Sequence, residues 1–286
     1  MSQIPPKPPL TRLVLIEGIP GSGKTTTARC AAEWFKQHGA EPALYLEGDW
    51  DHPADFESAA CLDEAQYAAL RAKFPAVGGF LDQQARCEGG ERFFRYQEMQ
   101  QMYGPSLPDG LMEALAQYEV YDLPVEKHLR LLRERWQNFA ERSRHEGRTY
   151  IFECCFLQNP FTTLLAHYNL PLPAVRRHIL ELAEMLQPLR PRLIYLAQSD
   201  PRATLERVRG ERPPEWADYV TAYITGGAYG QAHRLNGFEG AVEFYTERQA
   251  LELELISDIP MPAAILKDQE PWEARRAAVA RFLSAD

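Results

Sequence analysis

The chain is predicted to fold as an α/β protein around a five-stranded, parallel, doubly wound sheet, and three observations predict it. Five short apolar runs recur along the sequence, continuous in the way that strands buried on both faces require. The segments between them carry apolar residues at three- and four-residue steps, the helical period. The first two runs enclose one such helix, which makes a βαβ unit.

Taken in order, Leu13-Val14-Leu15-Ile16 is the first strand, and it follows a proline-rich leader, residues 1–10, expected to be disordered. Thr25 to His38 reads as a helix with Ala28, Ala31, Ala32 and Phe35 on one face, ended by Gly39. Ala43-Leu44-Tyr45-Leu46 is the second strand. From Asp55 to about Gly147 the chain is charged, aromatic and of helical period, with Leu123 to Arg148 the clearest helix, so residues 55–147 are expected to form a helical insertion. Strand character returns at Thr149-Tyr150-Ile151-Phe152, Leu193-Ile194-Tyr195-Leu196 and Ala263-Ala264-Ile265-Leu266, so residues 11–54 and 148–286 make up the sheet-bearing core.

Composition bounds the class. Of 286 residues, 45% are hydrophobic and 25% charged, as in a soluble globular protein. A net charge of -9 argues against nucleic acid or an anionic membrane as the main partner. Cys30, Cys61, Cys87, Cys154 and Cys155 form no C-x-x-C pair, which suits reduced thiols. No run approaches the roughly 20 apolar residues of a membrane helix, and a cytoplasmic location is expected. A homodimer is left open.

The most specific signal is Gly18-Ile19-Pro20-Gly21-Ser22-Gly23-Lys24-Thr25, which fits G-x-x-x-x-G-K-[ST] between a predicted strand and a predicted helix. Glycines let the loop wrap closely enough for backbone N–H groups to face phosphate oxygens, and the positive end of the helix dipole faces the same anion. Lys24 supplies a point charge for the β- and γ-phosphates of ATP, Thr25 is the expected Mg²⁺ ligand, and Thr26 continues the cradle.

Through that loop the chain resembles the P-loop kinases of the nucleotide, shikimate and gluconate kinase type. Two further stretches carry the resemblance. Glu47-Gly48-Asp49-Trp50-Asp51-His52-Pro53 is similar to the segment after the second strand of gluconate kinases, where an Asp and then His-Pro face the sugar acceptor. Asp200 to Arg212 is similar to the strand-to-lid passage of nucleotide and thymidylate kinases. The resemblance implies a three-layer P-loop sandwich with a lid near 200–215, and a small-molecule acceptor recognised by the insertion.

In an open α/β sheet, ligands bind at the carboxyl ends of the strands, where Asp49 and Glu153 stand. The resemblance makes Asp49 the acceptor-side carboxylate, and Glu153 is the metal-side one. The two roles are exchangeable, and Glu47 or Asp51 can stand in for Asp49. His52 is expected to be a structural partner or acceptor contact, since no second metal ligand has suitable spacing. Arg202, Arg207, Arg209 and Arg212 precede Pro213-Pro214. A mobile arginine cluster stabilises phosphoryl transfer, and Arg209 and Arg212 are favoured, Arg207 next. Arg92, Phe93, Phe94, Arg95 and Tyr96 are expected on a helix as an anion or aromatic contact, and Lys267-Asp268-Gln269 near the adenine.

The expected activity is transfer of the ATP γ-phosphoryl to a hydroxyl of a small molecule. A nucleoside or nucleotide kinase is the same-fold alternative, and an ATPase switch is the alternative from another class. The chain lacks an evident N-K-x-D guanine-reading tetrapeptide.

Overall fold

The computed structural model describes residues 11–285, and the expected leader, residues 1–10, lies outside them. The chain is an α/β fold that divides into two compact units, one running up to Glu47 and resuming at Trp136, the other Gly48–Arg135.

The first unit holds the five-stranded sheet. Its strands are β1 (Leu13–Gly18), β2 (Ala43–Tyr45), β6 (Tyr150–Glu153), β7 (Pro191–Ala197) and β8 (Ala263–Lys267), in the order β2-β6-β1-β7-β8. All neighbours pair in parallel. Every residue of β1, β6 and β7 is buried, which is why these runs are apolar without alternation. Pro191 is tolerated because it opens its strand. Alternate residues face opposite helical layers. Val14, Ile16, Ile151 and Ile194 pack with Ala28, Ala31 and Phe35 of the Lys24–Gln37 helix and with Val279 and Leu283 of the Trp272–Ser284 helix. On the other face Phe152 meets Trp136 and Phe139 of the Val125–Ser143 helix, and Tyr195 reaches the Gly237–Ile256 helix. Helices therefore cover both faces, consistent with a three-layer sandwich.

The second unit departs from the expectation of a helical insertion. Beside its helices it carries a three-stranded antiparallel sheet, β3 (Ala59–Leu62), β4 (Arg86–Glu88) and β5 (Glu91–Arg95), ordered β3-β5-β4. Arg92 to Arg95 are thus strand, not helix, and Tyr96 begins the following Tyr96–Tyr103 helix. Gly89 and Gly90, both with positive φ (58° and 83°), make the two-residue turn between β4 and β5, a backbone conformation that favours glycine at both places. β5 shows no alternation because its two central residues are buried on opposite faces, although the neighbouring β4 is exposed. Phe94 enters one core with Leu62, Tyr67, Leu81 and Leu111, while Phe93 enters another with Phe56, Val120 and Leu131.

His52 also belongs to this unit and is only 4% exposed. Its Nδ1 accepts the Ala54 N–H at 3.2 Å, and its carbonyl accepts from Arg135 Nη2 at 2.9 Å. Burial, and secondly the Arg135 guanidinium, push the imidazole down to about 3. The folded ring stays neutral while the unfolded ring takes a proton below its ordinary 6.5, so the native state loses stability as pH falls through the window from 6.5 to about 3. His52→Asn keeps an acceptor for Ala54 and cannot titrate. Urea unfolding at a series of pH values should show wild type losing up to about 1.4 kcal/mol per pH unit relative to the variant across that window; parallel pH profiles would refute the assignment.

Candidate functional site

β1 ends at Gly18 and the Lys24–Gln37 helix begins at Lys24, so the glycine-rich motif is the connection between them. Gly18, Gly21 and Gly23 all have positive φ (147°, 79° and 95°). At Gly21 the conformation and the packing both exclude a side chain, because a Cβ there would overlap Val208 Cγ2. At Gly23, the residue before the helix, a Cβ would meet nothing within 4 Å, so open space adjoins the helix start. Ser22 is 4% exposed, and its Oγ has no hydrogen-bond partner among the described residues.

Lys24 is buried, and its Nζ donates to the Ile19 carbonyl at 3.1 Å, folding the side chain back over the loop. Burial alone lowers an ammonium, but the negative charge around Lys24, with Glu47 and Glu153 its carboxylates, outweighs it, and the net direction is upward. Lys24 is therefore a fixed positive charge at neutral pH.

The carboxylates come from the ends of neighbouring strands, as parallel pairing requires. β6 lies between β1 and β2, and its last residue, Glu153, accepts the Thr25 hydroxyl at 2.8 Å through Oε1. Its carboxyl is raised by burial, with Thr25 and Lys24 opposing. Glu47, just past β2, has its N–H 3.5 Å from Glu153 Oε2, and its own Oε1 accepts from Gln158 Nε2 at 2.9 Å. Ligand atoms of Glu47, Glu153 and Cys154 all lie within 4.8 Å of one another. Cys154, at φ 72°, is buried, and burial holds its thiol well above the usual range. The hard oxygen donors of Glu47, Glu153 and Thr25 fit a small divalent cation better than does this neutral thiol.

Behind the loop, Glu17 is fully buried on β1 and accepts the Phe156 N–H at 2.8 Å and the Gln158 N–H at 2.9 Å. It thereby fastens the turn after Glu153 to the strand that leads into the loop. Burial raises its carboxyl to about 7 against those two donors.

The arginines of the Pro201–Glu211 helix and just beyond fall differently from the sequence expectation. Arg207 reaches the loop, donating from Nη2 to the Gly21 carbonyl at 2.8 Å. Arg209 lies over the Phe238 ring at 4.8 Å and Arg212 over the Trp216 ring at 5.2 Å, both exposed, and Arg202 pairs with Glu239. The helix is capped by Asp200, whose Oδ1 accepts the Ala203 N–H. Asp268 accepts from the Ser199 N–H and hydroxyl, each at 3.1 Å, and so links the ends of β7 and β8.

Asp49 and Asp51 lie in the Gly48–Arg135 unit. Asp49 is exposed, and its carbonyl accepts the His52 N–H. Asp51 is occupied by Arg95 and Arg86; desolvation raises its carboxyl, but Arg95 and then Arg86 together outweigh it and take it below the usual range.

Glu17, Gln158 and Cys154 carry no site expectation from the sequence, and Glu47 carries one only as a stand-in for Asp49. The available signals were a carboxylate inside an otherwise apolar strand, one position before the first motif glycine, and two polar positions closely following Glu153.

No family model matches the chain, and no curated protein matches it. A solved structure described as a "putative kinase" from Chloroflexus aurantiacus J-10-fl is similar over 96% of this chain and 99% of its own, at 13% identity and a TM-score of 0.35. A TM-score that low carries no argument about fold or activity.

Among the described residues no helix is long and apolar enough to cross a membrane. All five cysteines are unbridged.

Glu17→Ala would leave two buried N–H donors without a partner. Chemical denaturation should show a loss on the order of 2–4 kcal/mol, and a loss below about 1 kcal/mol would mean that water or a rearranged turn satisfies Phe156 and Gln158.

Proposed function

We propose that the protein is a P-loop, ATP-dependent kinase that moves the γ-phosphoryl group to a hydroxyl of a small-molecule acceptor. The observation that carries this reading is the 2.8 Å hydrogen bond from Thr25 Oγ1 to Glu153 Oε1, beside the buried Lys24 at the end of the glycine loop. Hydroxyl, carboxylate and ammonium meet there in the combination that phosphoryl transfer uses.

In this reading residues 18–26 form the nucleotide cradle. The backbone N–H groups around Gly21 and Gly23, the partnerless Ser22 hydroxyl and the Lys24 ammonium are the donors for an oligophosphate. Mg²⁺ would be held by Thr25 and Glu153, with Glu47 as a further oxygen donor, and supplies counter-charge for the transferred group. Lys24 must release the Ile19 carbonyl to reach a phosphate, exchanging one hydrogen bond for a stronger, charge-assisted one.

The acceptor hydroxyl needs a carboxylate to orient it and take its proton as the new P–O bond forms and the bond to the diphosphate leaving group breaks. Asp49 fills that role by its place after the second strand. Glu47 is the alternative, and Asp51 is set aside because two arginines already neutralise it. Arg207 is the lid cation nearest the loop, and Arg209 and Arg212 would join it by leaving their aromatic partners. The Gly48–Arg135 unit, with its mixed cationic and aromatic sheet, is proposed to select the acceptor.

The test is transfer of labelled γ-phosphate from ATP with Mg²⁺ into a fractionated small-molecule extract, with nucleosides, sugars and aminoglycosides supplied separately. Wild type should label an acceptor, and Lys24→Ala should lower transfer by at least about 10²-fold. Free phosphate with no labelled acceptor would favour an ATPase switch instead.

Two carboxylate variants separate the roles. Glu153→Gln should raise the Mg²⁺ concentration needed for half-maximal rate, with nucleotide still bound. Asp49→Asn should slow transfer by about 10²–10⁴-fold at unchanged metal requirement. If Glu47→Gln rather than Asp49→Asn gives that second pattern, the proton acceptor is Glu47.

A further inference from the structure

The reaction proposed above makes no use of a charged cluster directly beneath the glycine loop. Arg248, on the Gly237–Ile256 helix, has no solvent exposure, nor do Glu17 and Glu252. Its guanidinium reaches in three directions. Nη2 donates to the Gly18 carbonyl at 3.2 Å, Nη1 donates to Thr162 Oγ1 at 3.0 Å, and Nε stands 3.2 Å from Glu252 Oε1. The last contact is an ion pair by distance that lacks hydrogen-bond alignment. Glu252 also accepts the Tyr195 hydroxyl at 2.5 Å, which ties the cluster to the middle of β7.

Stability alone gives little reason for this arrangement. A buried ion pair repays its desolvation poorly, and apolar residues of similar volume commonly stabilise as well. The position of Arg248 is more informative. Gly18 is the last residue of β1 and the first of the loop. In a trans peptide the C=O and the following N–H point in opposite directions. Holding the Gly18 carbonyl toward the buried cluster therefore turns the Ile19 N–H away from it. Thr162 lies in a π-helical turn, Phe161–His167, a rare element that occurs often at functional sites.

We propose that Arg248 is a positioning residue for anion binding: it fixes the first peptide of the glycine loop and, through Thr162, ties that peptide to the π-helical turn. The inference rests on the glycine loop being the phosphate site. Arg248 touches no substrate in this scheme and acts through the backbone that does.

The experiment is calorimetric binding of ATP and, separately, of inorganic triphosphate to wild type, Thr162→Val, Thr162→Ser and Arg248→Lys, with thermal unfolding of each ligand-free protein. Thr162→Val removes one acceptor from Arg248 while keeping the branched side-chain shape. It should weaken both ligands by about three- to tenfold, the loss of one charge-assisted hydrogen bond, while Thr162→Ser binds as wild type. Arg248→Lys should weaken both by more than about tenfold, since an ammonium cannot span the three partners. In the transfer assay the KM for ATP should rise and the KM for the acceptor should not. If Thr162→Val and Arg248→Lys unfold at lower temperature yet bind triphosphate like wild type, Arg248 serves packing alone and the proposal falls. Should Arg248→Lys fail to fold, the Thr162 pair decides. Wild type that binds triphosphate and ATP but labels no acceptor overturns the kinase reading while the binding ratios still judge Arg248. Wild type that binds neither overturns both.

Discussion

Lys24 is a charged group taken out of water, and most of the first unit can be understood from what that requires. A buried ammonium is stable only with opposite charge and hydrogen-bond acceptors close by. The Ile19 carbonyl supplies one acceptor from the same loop, and Glu153 and Glu47 supply the charge from two other strand ends. Bringing Glu153 to that place requires β6 to lie beside β1 in parallel register, with Ile16 opposite Glu153. Placing Glu47 requires β2 on the outer side of β6. The strand order β2-β6-β1 is thus also the order that assembles the site.

The same constraint extends beneath the loop. Glu17 would be an isolated buried carboxyl if it did not accept from Phe156 and Gln158, and those bonds set the turn that carries Cys154 and Gln158. Gln158 in turn holds Glu47. Arg248 and Glu252 add a further pair against β7 and the Gly18 carbonyl. Polar groups in a low-dielectric interior act as a set, since leaving any one unpaired costs more than its pairing gains. The glycine loop is thereby fixed from behind by buried polar side chains.

The Gly48–Arg135 unit solves a different problem. Its strands are short, and the sheet is anchored where β3 and the centre of β5 are covered on both faces, Phe93 on one side and Phe94 on the other, while β4 is exposed. Its arginines are largely held by acids, Arg92 by Glu64, Arg95 by Asp51 and Glu98, Arg130 by Glu91 and Glu134. Most of these pairs are partly exposed, so they contribute modestly to stability and leave charged groups available at the surface.

The five core strands, the first helix and the glycine loop were legible in the sequence because each is dictated locally. A strand buried on both faces, as β1, β6 and β7 are, is largely apolar. The edge strands β2 and β8 are less buried but keep short apolar runs, and a loop that turns through positive φ favours glycine at fixed offsets. Thr25, Lys24 and Glu153 could be named for the same reason, by their places at the ends of such elements. The β4–β5 hairpin was marked only by Gly89-Gly90, and its adjacent aromatics hid the alternation because they serve two different cores. Arg207 on Gly21, Glu17 on the turn after β6 and Arg248 on Gly18 join residues 186, 139 and 230 positions apart at their nearest contacts. No local period or propensity encodes such pairings. They arise when the folded sheet excludes water and each buried charge must find the partner that tertiary packing has brought beside it.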